Sequence, residues 1–168
     1  MVIVIGVALL ALQQTPPPKP PQLPSCDARP EASQFDFWVG EWDVIVNGKP
    51  AGINRIEKIL GGCVLQENWT SAAGSEGKSW NWHDIGDGKW HQLWLDAQGA
   101  PSLNLAGEFS GNVMDYEGTS VGPGGARVMN RLQFFKLPGD RIRQFWQQSN
   151  DGGKTWTTVF DGEYRRRK

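Results

Sequence analysis

The sequence predicts an all-β domain of about ten antiparallel strands in a meander closed into a barrel. Three observations predict it. Short runs of alternating polar and apolar residues recur from Phe35 onward, about ten residues apart. Turn-forming residues separate nearly every pair of runs. The chain has 21 glycines and 9 tryptophans in 168 residues, a composition suited to many turns and to broad apolar contacts on pleated surfaces. Closure removes the two unpaired edges that an open meander would expose.

The elements follow in order. Gln34 to Gly40 reads as a helical turn leading into a first strand, Trp42 to Val46. Asn47-Gly48 marks a two-residue hairpin into Ile53 to Leu60. Gly61-Gly62 leads to Cys63 to Thr70, and a loose loop, Ser71 to Gly77, leads to Ser79 to His83. Asp84 to Lys89 turns the chain into Trp90 to Asp96. Leu103 to Phe109, Val113 to Thr119, Arg127 to Lys136, Arg141 to Ser149 and Thr155 to Tyr164 complete the ten.

Ahead of this region, Val2 to Leu12 is an uncharged apolar run. It suits the core of a signal peptide and is too short to span a bilayer as a helix. Prolines at 16, 17, 18, 20, 21 and 24 follow, as in an extended tether. The expected organisation is a signal peptide over 1–13, a proline-rich disordered linker over 14–25 and a barrel domain over 26–168. Export makes the expected location periplasmic or secreted, with no stable membrane insertion after cleavage. In such a compartment the two cysteines, Cys26 and Cys63, have one intramolecular pairing available.

The net charge of −1 argues against a general nucleic-acid binder, which needs a basic stripe for phosphates. The one basic cluster, 165–168, is terminal. No metal-ligand spacing, phosphate loop or nucleophile elbow occurs, so no cofactor is expected. Ser149-x-Asp151-x-Gly153-x-Thr155-Trp156 matches the Asp-box pattern of sialidases and other β proteins, a hairpin turn rather than a catalytic signature.

Candidate binding residues come from strand parity. The loop at 84–89 pairs His83 with Trp90, which puts Ser79, Asn81, His83, Trp90, Gln92 and Trp94 on one face. The opposite face carries Trp80, Trp82, His91, Leu93 and Leu95. Aromatic walls with a few fixed polar groups characterise ligand pockets, so the polar row is read as facing inward; the alternative orientation gives a plain core. Glu67 and Trp69 share a face on the preceding strand, Arg143 and Gln147 share one on a late strand, and Gln144 and Trp146 share the other. The expected ligand-binding set is Glu67, Trp69, Asn81, His83, Trp90, Gln92, Trp94, Arg143 and Trp146, with a hydrophobic or amphipathic small molecule as partner. Two alternatives stand beside this reading: an enzyme in which Glu67, His83 and Arg143 converge, and a structural domain with a filled interior. An apolar outer face would suit a homodimer.

Phe35-Asp36-Phe37-Trp38-Val39-Gly40-Glu41-Trp42 resembles the opening of calycin or lipocalin-like barrels, where a helical turn ends in Gly-x-Trp on strand one. Together with Gly62 to Trp69, Lys89 to Asp96 and Asp151 to Trp156, it is similar to small exported bacterial proteins with a nitrobindin-like barrel. The resemblance implies a fold rather than an activity. It implies that a late arginine, Arg165 or Arg167, packs over Trp42. Nitrobindin-like barrels hold haem through a C-terminal histidine; this chain has none there, and His83 or His91 would have to substitute.

Overall fold

The computed structural model describes residues 25–99 and 102–168. The expected signal peptide and nearly all of the linker lie outside the described residues. Ten strands run β1 Gly40–Val46, β2 Lys49–Ile59, β3 Val64–Ser71, β4 Glu76–His83, β5 Trp90–Asp96, β6 Leu103–Ser110, β7 Val113–Val121, β8 Arg127–Leu137, β9 Arg141–Ser149 and β10 Thr157–Arg166. Each pairs antiparallel with its sequence neighbours, and β10 pairs with β1, so the meander closes into a barrel. This architecture is consistent with the calycin-like fold. Turn chemistry explains the corners: Asn47 and Gly48 both adopt positive φ, 50° and 74°, the backbone that a tight hairpin of the right-handed twist demands.

The barrel has two unlike ends. One is plugged by three short 3-10 turns, Cys26–Ala28, Pro30–Ser33 and Asp36–Trp38. The sequence reading anticipated only the last, because the first two lack apolar periodicity. Phe35 and Trp38 from the plug are fully buried and stack with ring centroids 4.9 Å apart; Phe134 of β8 lies 5.1 and 4.6 Å from them. The plug is tethered by covalent, ionic and hydrogen bonds. The Cys26–Cys63 disulfide ties it to the β2–β3 turn, Lys58 of β2 pairs with Asp36 at 2.9 Å, and Trp90 donates to Gln34 at 3.0 Å.

The Gly-x-Trp motif has a physical reason here. Trp42 is fully buried, donates its indole N–H to the Trp38 carbonyl at 2.8 Å, and is covered by a guanidinium 3.8 Å from its ring. That guanidinium belongs to Arg166, not to Arg165 or Arg167. Register decides it: Arg166 pairs directly with Trp42, whereas Arg165 pairs with Asp43 and turns outward to Glu163. Arg166 also donates to the Val39 carbonyl at 2.7 Å and pairs with Asp140 at 2.9 Å. Gly40 has φ of 130°, and a side chain there would meet the Arg166 guanidinium at 1.8 Å, so only glycine fits.

The Asp box forms the β9–β10 turn at the opposite end. Asp151 accepts from the backbone of Lys154 and Thr155 and from the Thr155 hydroxyl at 2.6 Å. Those bonds hold its carboxyl down to about 2. Trp156 donates to the Gly153 carbonyl and lies beneath Arg131. The motif is a turn built from its own side chains.

Candidate functional site

At the end opposite the plug the barrel contains a cavity of about 170 Å³. Its walls are aromatic: Trp69 of β3, Trp94 of β5, Trp146 of β9 and Phe160 of β10, all half-buried, with Leu103 and Leu132 between them. Its floor is polar: Glu67, Gln92, Gln144 and Tyr164. Register explains the arrangement. His83 pairs with Trp90, and Asn81 with Gln92, so the row Ser79, Asn81, Trp90, Gln92 faces the interior. Glycines make room for the rings. A side chain at Gly77 would meet the Trp94 ring at 2.3 Å, one at Gly52 the Trp69 ring at 2.6 Å, and one at Gly162 the Phe160 ring at 2.5 Å. Three of the four rings therefore lie over a strand position that has no side chain of its own.

The floor is one connected hydrogen-bond chain crossing the barrel from β9 to β5. Tyr164 donates to the Gln144 carbonyl oxygen. Asn54 donates to Tyr164 Oη at 3.1 Å and to Glu67 Oε1 at 2.6 Å. Ser79 donates to Glu67 Oε2 at 2.6 Å. Asn81 donates to Ser79 at 2.9 Å and accepts from Gln92 at 2.9 Å and Tyr116 at 3.3 Å. Networks of this kind are stable inside a protein only when nearly every member is satisfied. Asn54 Oδ1 is the one buried side-chain atom of this network, among the described residues, without a partner.

Glu67 is the electrostatic centre. Burial pushes its carboxyl up to about 7, against the opposing pull of the Ser79 and Asn54 hydrogen bonds. Burial likewise pushes the Tyr116 and Tyr164 hydroxyls well above the ordinary tyrosine value. Among the described residues the carboxyl has two hydrogen-bond donors and no cation beside it. A second polar cluster fixes one wall: Asn130 Oδ1 accepts from Trp146 Nε1 and Gln148 Nε2, both at 3.0 Å, while its amide donates to Ser120 at 3.0 Å.

Of the nine residues named from the sequence, Glu67, Trp69, Gln92, Trp94 and Trp146 line this one cavity. Asn81 lies a layer deeper, as part of the floor network. Trp90 is deeper still, packed edge-on to Phe35 of the plug. His83 stands at the plugged end, bonded to the Gly88 carbonyl at 3.1 Å. Arg143 is on the outer surface: its guanidinium makes a bidentate pair with Asp161 at 2.7 and 2.8 Å and lies over Phe145. Parity gives the reason, since Ile142 and Gln144 face inward and the residue between them must face out. Glu67, His83 and Arg143 therefore do not converge on a common point. Neither histidine lines the cavity: His91 pairs with Asp87 and stacks on Trp82 outside. The cavity offers no imidazole to a haem iron.

Sequence reasoning did not select Leu103, Leu132, Gln144, Phe160 or Tyr164. Gln144 was legible, because it shares parity with Trp146. Phe160 was not: the register of β10 against β9 slips between Thr158 and Phe160, and this bulge reverses the parity that simple alternation would assign.

The described residues contain no group of three or more His, Cys, Asp or Glu side chains able to hold a metal ion, and no helix long and apolar enough to cross a membrane. No protein-family model matches the chain, and no curated protein matches it either.

Proposed function

We propose that the protein is an exported binding protein of the nitrobindin-like barrel type that holds a compact amphipathic molecule in the open end of its barrel. The observation that carries this reading is a buried polar floor beneath four aromatic walls in one cavity, the combination that fixes a small ligand by orientation and by apolar contact together. A purely structural barrel gains nothing by burying a carboxyl and four uncharged polar side chains, Asn54, Ser79, Asn81 and Gln92, because a packed apolar interior avoids their desolvation. The size supports a small guest: an apolar cavity of about 150 Å³ already admits a benzene-sized molecule. The disulfide supports export to an oxidising compartment such as the periplasm.

Native mass spectrometry of protein isolated from its own cells tests the reading. We expect an added noncovalent mass of a few hundred daltons at most, in keeping with the cavity's size, and its loss in Trp94→Ala. A bare mass in every preparation, together with no thermal shift from any single-ring compound, would contradict it.

A further inference from the structure

We infer that this cavity recognises an organic cation, a protonated amine or a quaternary ammonium on a body of about one ring, held between the Glu67 carboxylate and the tryptophan faces. The inference rests on the binding reading and adds the charge of the ligand to it.

Four observations carry it. First, among the described residues Glu67 is the only carboxyl lining the cavity, and no Lys, Arg or His lines it. Second, each carboxyl oxygen has a single protein donor, Asn54 on one and Ser79 on the other. A carboxylate oxygen has two acceptor sites, so half of its capacity is open. Third, Gln92 bonds the protein through its amide nitrogen alone, which leaves its carbonyl oxygen as another acceptor. An anion would meet these acceptors and this carboxylate, with uncharged amide and indole N–H groups alone to offset them among the described residues. Fourth, the chain places a guanidinium over Trp42 at 3.8 Å and over Trp156 at 4.1 Å, whereas Trp69, Trp94 and Trp146 have no such cation among the described residues. Tryptophan is the best of the aromatic faces for a cation, and the attraction grows when water is excluded. A buried carboxylate without a counter-ion is costly, and a ligand cation supplies what the protein leaves out.

The elevated Glu67 carboxyl agrees with this geometry. From the strands packed around it, Glu67 is faced by Asn54, Ser79, Asn81, Gln92, Tyr164 and, through Asn81, Tyr116. Of these only the tyrosines titrate, and both do so far above neutrality. Glu67 is therefore the group in this site that changes charge between about pH 5.5 and pH 8. Below its titration a cation must displace the proton, so cation binding should strengthen as pH rises and should release a proton at low pH.

Isothermal titration of the whole protein with four probes of one shape tests the inference: benzylamine, benzyltrimethylammonium, benzyl alcohol and benzoate. We expect the two cations to bind about tenfold more tightly than benzyl alcohol at about pH 8, with benzoate weakest. Cation affinity should fall several-fold at about pH 5.5, and benzyl alcohol affinity should stay level. In Glu67→Gln the cation preference should disappear while benzyl alcohol still binds. The comparison among probes on the unmodified protein needs no variant, so it stands even if Glu67→Gln fails to fold. Equal or tighter binding of benzyl alcohol or benzoate would overturn the cationic ligand and leave the binding reading intact. Absence of binding by all four to a folded protein would overturn both.

Discussion

The two ends of the barrel use the same residue type for opposite purposes. At the plugged end Trp38, Trp42 and Trp90 are almost completely buried and meet Phe35, Phe134 and Tyr164 in direct ring contact. At the open end Trp69, Trp94 and Trp146 are only half-buried and surround a cavity. The difference is a matter of what covers them. The plugged end receives the 3-10 turns that precede β1, tied down by the disulfide and the Lys58–Asp36 pair. The open end is closed by no such segment among the described residues; Trp69 and Trp94 stand over glycines, and all three rings surround a polar floor. Tryptophan content alone therefore says nothing of binding; location along the barrel axis separates filler from lining.

Substitutions at the two ends should separate accordingly. Trp38→Ala removes a fully enclosed ring and should cost about 3–5 kcal/mol in urea unfolding. Trp94→Ala, at a site already half open, should cost less than about 1.5 kcal/mol. Equal losses would erase the distinction. Next in size, replacing both Cys26 and Cys63 by serine should cost about 3–4 kcal/mol on the chain-entropy account of a 37-residue separation. Ligand binding at the far end should persist in that variant while it remains folded.

The floor should show itself in the pH dependence of stability. Folding lifts the Glu67 carboxyl from 4.5 to about 7, so between those values the native state holds a proton that the unfolded chain has released. Stability from this group is then fully present below about pH 4.5 and is lost as pH rises through about 7. Glu67→Gln should remove that slope and raise stability at about pH 8 by roughly 1–3 kcal/mol. A variant that is less stable than the parent at high pH would contradict a strained, uncompensated carboxylate. The smallest contrast lies between two arginines. Arg166→Gln, which uncovers Trp42 and frees the Val39 carbonyl, should cost about 1–2 kcal/mol. Arg143→Gln breaks a solvent-exposed pair with Asp161 and should cost at most about 1 kcal/mol.

Most of the fold was legible because two-residue periodicity and turn chemistry are local properties. The Asn47-Gly48 hairpin, the pairing of His83 with Trp90 and the membership of the polar row follow from counting residues between turns, whereas the inward orientation of that row rests on its mix of aromatic and polar groups. The site was legible only where counting survives. Glu67, Trp69, Gln92, Trp94 and Trp146 fall on the face that lines the cavity, and Arg143 does not, because choosing it over Gln144 requires the absolute orientation of β9. Leu103 and Leu132 have nothing to distinguish them from other core leucines. Phe160 lies beyond a bulge, and bulges are set by register against the neighbouring strand rather than by the strand's own residues. The choice of Arg166 over Arg165 and Arg167 has the same origin, since closure between β1 and β10 fixes it. What the sequence could not express at all is the cavity, because it arises from which side chains fail to meet across the barrel.

The most direct test of the division between a packed end and a binding end is fluorine NMR of protein carrying 5-fluorotryptophan, in which each of the 9 tryptophans gives its own resonance. Titration with benzylamine should move the signals of Trp69, Trp94 and Trp146 and leave those of Trp38, Trp42 and Trp90 in place. Shifts confined to the plugged-end tryptophans, or to the outer Trp80, Trp82 and Trp156, would contradict the account.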